Sequence, residues 1–183
     1  MTTNPHYQAF YQMLEHLGTI SHPARSRIEQ AIQKIHLKPQ ESITRHLGEL
    51  GYIATGVLKE YDVRQRRRPV IINFMGAGDV FDNTPFTMRQ YFKAIMPTEL
   101  WLFSKRALGD IYQNHQELLD IYEKLTGAYH EQLFYRSFIL DKRTAQARMD
   151  LFNNHFKSLL PYLSLRDIAN YIAVSYDHLI RSI

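Results

Sequence analysis

Ser164-Leu165-Arg166-Asp167-Ile168-Ala169-Asn170-Tyr171-Ile172-Ala173-Val174-Ser175-Tyr176-Asp177-His178-Leu179-Ile180-Arg181-Ser182-Ile183 is the stretch on which the reading of this chain turns. Leu165, Ile168 and Ile172 recur at helical spacing and predict one short helix. A small-residue turn follows at Ala173-Val174, and Ser175 stands where it can cap a second helix with Leu179 and Ile183 inside. Two short helices joined by a tight turn, with small Ala169 where they cross, is a helix-turn-helix pattern. Such a unit presents its second helix to the DNA major groove. The same pattern also fits an ordinary helical hairpin closing a domain.

Working outward, Ala145, Met149, Leu151, Phe152 and Phe156 predict a further helix, which leads through the loop Leu159-Leu160-Pro161 into the pair. Upstream, Leu118, Ile121, Tyr122, Leu125, Ala128, Tyr129, Leu133, Arg136 and Ile139 give a long stripe of approximate heptad spacing. A helix from Leu118 to Leu140 would be about 34 Å long. Helices of that length, apolar on more than one side, commonly pack against both their own domain and another chain. Leu118, Tyr122, Leu125, Tyr129 and Leu133 are therefore expected at a dimer interface. The polar hinge Asp141-Lys142-Arg143 is the expected boundary between residues 1–141, with a dimerisation helix over about 116–140, and a C-terminal domain over 142–183.

Residues 36–105 change character, with short runs of period-two patterning between turn residues. Val57, Tyr61 and Val63 alternate with Leu58, Glu60, Asp62 and Arg64, while Val70 to Phe74 and Leu100 to Phe103 are apolar runs. Strands at roughly ten-residue spacing predict a sandwich or jelly roll. Residues 6–35 read as helical: Tyr7, Phe10, Tyr11, Leu14 and Leu17 form one stripe. After Gly18, Ser21 and Pro23 start a second helix carrying Ile28, Ala31, Ile32 and Ile35. The fold class expected is α+β: N-terminal helices, a β-roll (double-stranded β-helix or jelly roll), a long central helix and a C-terminal helix-turn-helix domain.

With 183 residues the chain can build a real core. It has no cysteine, which excludes disulfides, thiolate metal sites and cysteine nucleophiles. Its net charge of +4 permits nucleic acid as a partner without demanding it. Met1 to Tyr7 shows neither a basic nor an apolar leader region, and no apolar run reaches membrane-spanning length, so a cytoplasmic protein is expected.

The order helix, roll, long helix, small helical domain resembles the catabolite-activator (Crp/Fnr) family of transcription regulators across nearly the whole chain. Three stretches carry the resemblance in the roll. His36 to Glu41 is similar to its opening, and Leu50 to Tyr61 to the strand-glycine-strand with Gly56, Lys59 and Tyr61. Ile72 to Phe81 is similar to the Gly-Asp turn ahead of the ligand pocket. Thr144 to Arg148 and the helix-turn-helix complete it. The resemblance implies a cyclic-nucleotide-binding-type roll, a dimerising helix and a DNA-binding C-terminal domain. Double-stranded DNA, a second copy of the chain and RNA polymerase are the implied partners.

At the effector site the sequence departs from the family. A cyclic nucleotide needs backbone N–H groups, an arginine for the phosphate and a carboxylate for the ribose. Phe81 to Tyr91 offers neither the glutamate nor the second glycine, Pro85 removes an amide donor, and the arginine position falls on Met88, with Arg89 one residue off. A cyclic nucleotide is therefore not expected, and no cofactor is assigned. The candidate effector-pocket residues are Phe74, Gly78, Asp79, Phe81, Arg89 and Tyr91, with Phe86, Tyr91 and Phe92 filling the space if the roll is only a scaffold.

Carried over position by position, the family's DNA contacts fall on Tyr176 and Asp177, where many members have Arg-Glu, and on Arg181, which is kept. Ser175 and Arg166 join them as DNA-binding candidates, and Arg143 and Lys157 as phosphate contacts. Residues 142–183 hold six Lys/Arg against three Asp, an excess that suits a phosphate-facing surface. Members of the family often continue past this point with a β-hairpin wing, so a truncated domain of low DNA affinity is expected here.

Other chemistry finds no support in the sequence. The run Arg64-Gln65-Arg66-Arg67-Arg68-Pro69 reads as a solvated hairpin tip or a partner-contacting arm. The nine histidines form no His-x-His cluster with a carboxylate, so no metal site is expected. Neither a phosphate loop nor a serine elbow is present, and an enzyme is not expected. Two readings remain: a homodimeric DNA-binding regulator, and a non-DNA-binding relative whose roll senses a ligand or docks a protein.

Overall fold

A computed structural model describes residues 5–64, 68–87 and 89–182; Met88, Ile183 and residues 65–67 of the basic run lie outside them. Helix α1 (Pro5–Leu17) precedes α2 (His22–Ala31). As the sequence predicts, Ser21 caps α2 by accepting the Ala24 N–H, with Pro23 in the first turn. The helical reading fails beyond Ala31. Ile35 stands on strand β1 (Gln33–Leu37), opposite Leu100, because pairing with an apolar neighbouring strand outweighs a local helical stripe.

Seven more strands follow: β2 (Ser42–Ile43), β3 (Leu50–Thr55), β4 (Val57–Asp62), β5 (Val70–Gly76), β6 (Val80–Asp82), β7 (Gln90–Ala94) and β8 (Thr98–Phe103). They form two antiparallel four-stranded sheets, ordered β1-β8-β3-β6 and β2-β7-β4-β5. Gly56 joins β3 to β4 at φ +96°, where an added Cβ would lie 2.7 Å from the Pro97 carbonyl oxygen. Leu58 and Glu60 point into the roll, while Lys59 and Tyr61 face the C-terminal helices.

Beyond the roll lie α3 (Lys105–Asn114), α4 (Glu117–Leu140) and α5 (Ala145–His155), then α6 (Leu165–Tyr171) and α7 (Tyr176–Ser182). Three apolar clusters hold these layers together, and α4 runs through all of them. Leu118, Ile121 and Leu125 join α1, α2 and the outer face of the first sheet around Trp101. Tyr129 enters the roll interior beside Phe81, Phe92 and Leu100. Ile139 reaches a third cluster, where Ile71 and Phe74 of β5 meet Phe152, Phe156, Ile168, Tyr171 and Leu179. The many-sided apolar pattern of α4 is thus largely used within one chain. Leu118, Leu125 and Tyr129, expected at a dimer seam, are buried in the protomer's own cores, and Tyr122 and Leu133 pack against them half-buried. The large apolar groups that α4 leaves outside are Leu119, Phe134 and Phe138.

The turn between α6 and α7 is built on Ala173 at φ +55°, with the Val174 N–H donating to the Ala169 carbonyl at 3.0 Å. A left-handed conformation disfavours any residue with a Cβ, and a β-branched one most. Ala173→Val is expected to lower the unfolding free energy by about 1–2 kcal/mol, whereas Ala173→Gly keeps or raises it. Denaturant unfolding of the two variants against the parent checks this.

Candidate nucleic-acid interface and the interior of the roll

On α7, Leu179 is buried in the third cluster, while Tyr176, Asp177, His178, Ile180 and Arg181 are exposed. Ser175 caps the helix by accepting the His178 N–H at 3.2 Å. Arg166, one helix earlier, lies with its guanidinium 5.2 Å from the centre of the Tyr176 ring, so these two DNA-contact candidates are brought together. Asp177 and Arg181 sit one turn apart, with the Arg181 Nε donating to the Asp177 carbonyl oxygen at 3.1 Å. Ile180 was not singled out from the sequence. An apolar residue beside a buried leucine reads as more of the same stripe until the helix is docked.

What docks it is equally invisible in the sequence. Lys59 of β4 donates to both carboxylate oxygens of Asp167 on α6, at 2.9 and 3.0 Å. The side chain of Asn170 acts as one more strand along the edge of β5: its Oδ1 accepts the Ile71 N–H at 2.7 Å and its Nδ2 donates to the Pro69 carbonyl at 3.3 Å. These bonds and the aromatic cluster under them set α6 on β5, and α7 packs on α5 and α6. Among the basic residues of this region, Arg148 is committed to structure, donating to the carbonyls of Leu140, Lys142 and Ile172. Arg143, Lys157, Arg166 and Arg181 are exposed.

Inside the roll, the space between the sheets is taken by Arg45, from the loop between β2 and β3. Its guanidinium bonds Glu60, donates to Asn83 at 2.6 Å, to Gln90 at 3.1 Å, to the Tyr129 hydroxyl at 2.9 Å and to the Asp82 carbonyl, and stacks 4.6 Å from the Phe92 ring. Tyr129 in turn donates to Glu60 at 2.7 Å. Burial pushes the Glu60 carboxyl upward, against the pull of the Arg45 guanidinium and the Tyr129 hydroxyl. The side chains of Arg45 and Glu60 are almost wholly out of water. A second carboxylate, Asp82, faces His130 of α4 at 3.3 Å.

The candidate effector residues do not converge on this space. Phe81 does, with its ring 4.4 Å from Phe92. Phe74 points away from it, into the aromatic cluster of the C-terminal helices. Gly78 and Asp79 build the turn between β5 and β6: Gly78 takes φ +97°, and Asp79 accepts the Gly76 N–H at 2.7 Å. Arg89 is exposed ahead of β7, and Tyr91 stacks on Tyr61, 5.0 Å away, on the face turned from the interior. Phe92 fills the roll as expected; Phe86 does not, being 81% exposed.

Neither a family model nor a curated protein matches the sequence. Solved structures do match the fold. FixK2 from Bradyrhizobium japonicum superposes with a TM-score of 0.70 at 19% identity, over 82% of each chain. A transcriptional regulator assigned to the Crp/Fnr family from Eubacterium rectale gives 0.70 at 13% identity, over 88% of this chain and 81% of the other. The c-di-GMP-responsive global regulator CLP of Xanthomonas campestris gives 0.64 at 14%, over 88% and 89%. At such identities the likeness is one of fold: this α+β chain, with its antiparallel sandwich and flanking helices, has the architecture found in Crp/Fnr regulators. No helix among the described residues is long and apolar enough to cross a membrane.

Proposed function

We propose that the chain is a DNA-binding transcription regulator acting as a homodimer, with residues 142–183 as its DNA-reading part. The observation that carries this reading is the outer face of α7. It displays Tyr176, Asp177 and Arg181 beside Arg166, exposed on a helix anchored by Leu179. Arginine can engage guanine O6 and N7 together, and a carboxylate can accept from cytosine N4. Duplex binding is expected to weaken steeply with salt, since phosphate contacts release counterions, and Arg181→Ala is expected to weaken it by about 10-fold or more. A gel-shift titration at two salt concentrations checks both, and salt-independent retention of binding by the variant contradicts the reading.

The pairing surface we assign to α4 is its outward side. Gly127, Glu131, Phe134 and Phe138 are exposed there at spacings of four, three and four residues, the rhythm of a coiled-coil seam. Phe134 is 75% exposed and Phe86 of the roll rises across a groove of about 640 Å³ from it. Phe134→Glu places a charge in that seam and is expected to convert dimer to monomer at micromolar concentration in sedimentation velocity, with duplex affinity falling in parallel.

The roll serves as scaffold in this proposal. Arg45, Glu60 and Phe92 occupy the space an anionic effector would need, and a cyclic nucleotide would have to displace a guanidinium already bonded to several partners.

A further inference from the structure

Where the outer face of the first sheet meets the N-terminal helices, the packing leaves a void of about 50 Å³. Leu14 of α1, Ile28 of α2, Ile111 of α3, Leu118 and Ile121 of α4 and Val80 of β6 stand in its wall, and every lining side chain is aliphatic or aromatic. Native interiors hold few voids larger than a water, since atoms around a void lose contacts on that side. This one does not suit water, which needs about two to four polar partners and meets a wall of carbon here. The roll interior, by contrast, is filled by Arg45 and Phe92. All the lining residues are buried except Tyr112 and Tyr122, which are half-buried with their rings 5.2 Å apart.

We infer that this void is a binding site for a small uncharged hydrocarbon, a chain of about two or three carbons, with Tyr112 and Tyr122 as its mouth. The size follows from the space. A water's share of liquid volume is about 30 Å³, so the void has room for roughly two units of that size. An apolar cavity of about 150 Å³ takes benzene, so a whole aromatic ring enters here only if a tyrosine swings out. Burial holds the hydroxyls of Tyr112 and Tyr122 above the usual phenol range, so the mouth itself carries no charge to attract an ionised ligand. The position gives occupancy a consequence. Leu118 and Ile121 line the void near the start of α4, and Ile139, at the far end of the same helix, packs among the residues that hold α5 and α6.

The test equilibrates the full chain with propane and follows the methyl NMR signals of its leucine, isoleucine and valine side chains. Saturable shifts are expected at Leu14, Ile111, Leu118 and Ile121, with Leu37, Ile53 and Leu58 of the roll interior unmoved. Toluene at the same free concentration is expected to leave the first group unshifted, and to bind in Tyr122→Ala, which widens the mouth. Val80→Leu puts one more methylene into the void and is expected to weaken propane binding about fourfold or more, the worth of one CH₂. Unchanged methyl signals in the roll interior show that this variant is folded. The inference is overturned, with the regulator reading left standing, by any of four results. These are no saturation in the parent, shifts spread over the roll or the surface, toluene bound by the parent as tightly as propane, and equal propane affinity in the parent and a folded Val80→Leu.

Discussion

Arg45→Ala is expected to lower the unfolding free energy by about 3–5 kcal/mol, because it leaves the buried Glu60 carboxylate without its counterion. The loss has a wide structural reach. One guanidinium links Glu60 of β4, the Asp82 carbonyl of β6, Asn83 just after it, Gln90 of β7 and Tyr129 of α4, so its removal loosens both sheets and the long helix together. Arg45→Lys should recover little of it, since an ammonium cannot reproduce the planar fork of donors. The double change Arg45→Met with Glu60→Leu should recover part: it removes the charge problem but leaves Asn83, Gln90 and Tyr129 without their donor. Urea unfolding of the set gives the order; an Arg45→Ala protein as stable as the parent contradicts the network.

The second large effect is at Phe74. Its ring lies 5.8 Å from Phe152, 5.6 Å from Phe156 and 5.5 Å from Tyr171, mostly edge to face, and it is fully buried. Phe74→Ala is expected to lower the unfolding free energy by about 3–5 kcal/mol through the cavity it leaves. The position of the loss is the sharper test, because Phe74 joins the roll to α5 and α6. Hydrogen exchange should accelerate in α5, α6 and α7 well before β1 and β8. A uniform acceleration would mean that the C-terminal helices do not depend on β5 for their place.

Local features of this fold were legible in the sequence because their causes are local. The serine caps at Ser21 and Ser175 follow from a hydroxyl three residues before the amide it accepts, and α4 from a stripe that needs no partner to be seen. The roll was legible as alternating runs between glycines, with its pairing left open. What escaped depends on contacts distant in sequence. Arg45 and Glu60 are 15 residues apart, and no local spacing announces that they pair inside the roll. Asn170 reaches back 99 residues to the edge of β5, which no spacing announces. Three of the five expected dimer residues are spent for a related reason: the heptad stripe of α4 is real, but Leu118, Leu125 and Tyr129 satisfy it with their own chain. Phe134 and Phe138, which stay outside, belong to the weaker half of the same pattern.

The proposal stands on the outward face of α7 acting in pairs on one duplex. Its most direct test is to select bound fragments from a random pool with the purified full chain, sequence them, and measure the stoichiometry of the complex. The account predicts an inverted repeat whose half-site centres lie about 10–10.5 base pairs apart, bound by two chains. Recovered pools with no enriched sequence and no two-chain complex, at low as well as moderate salt, would contradict it.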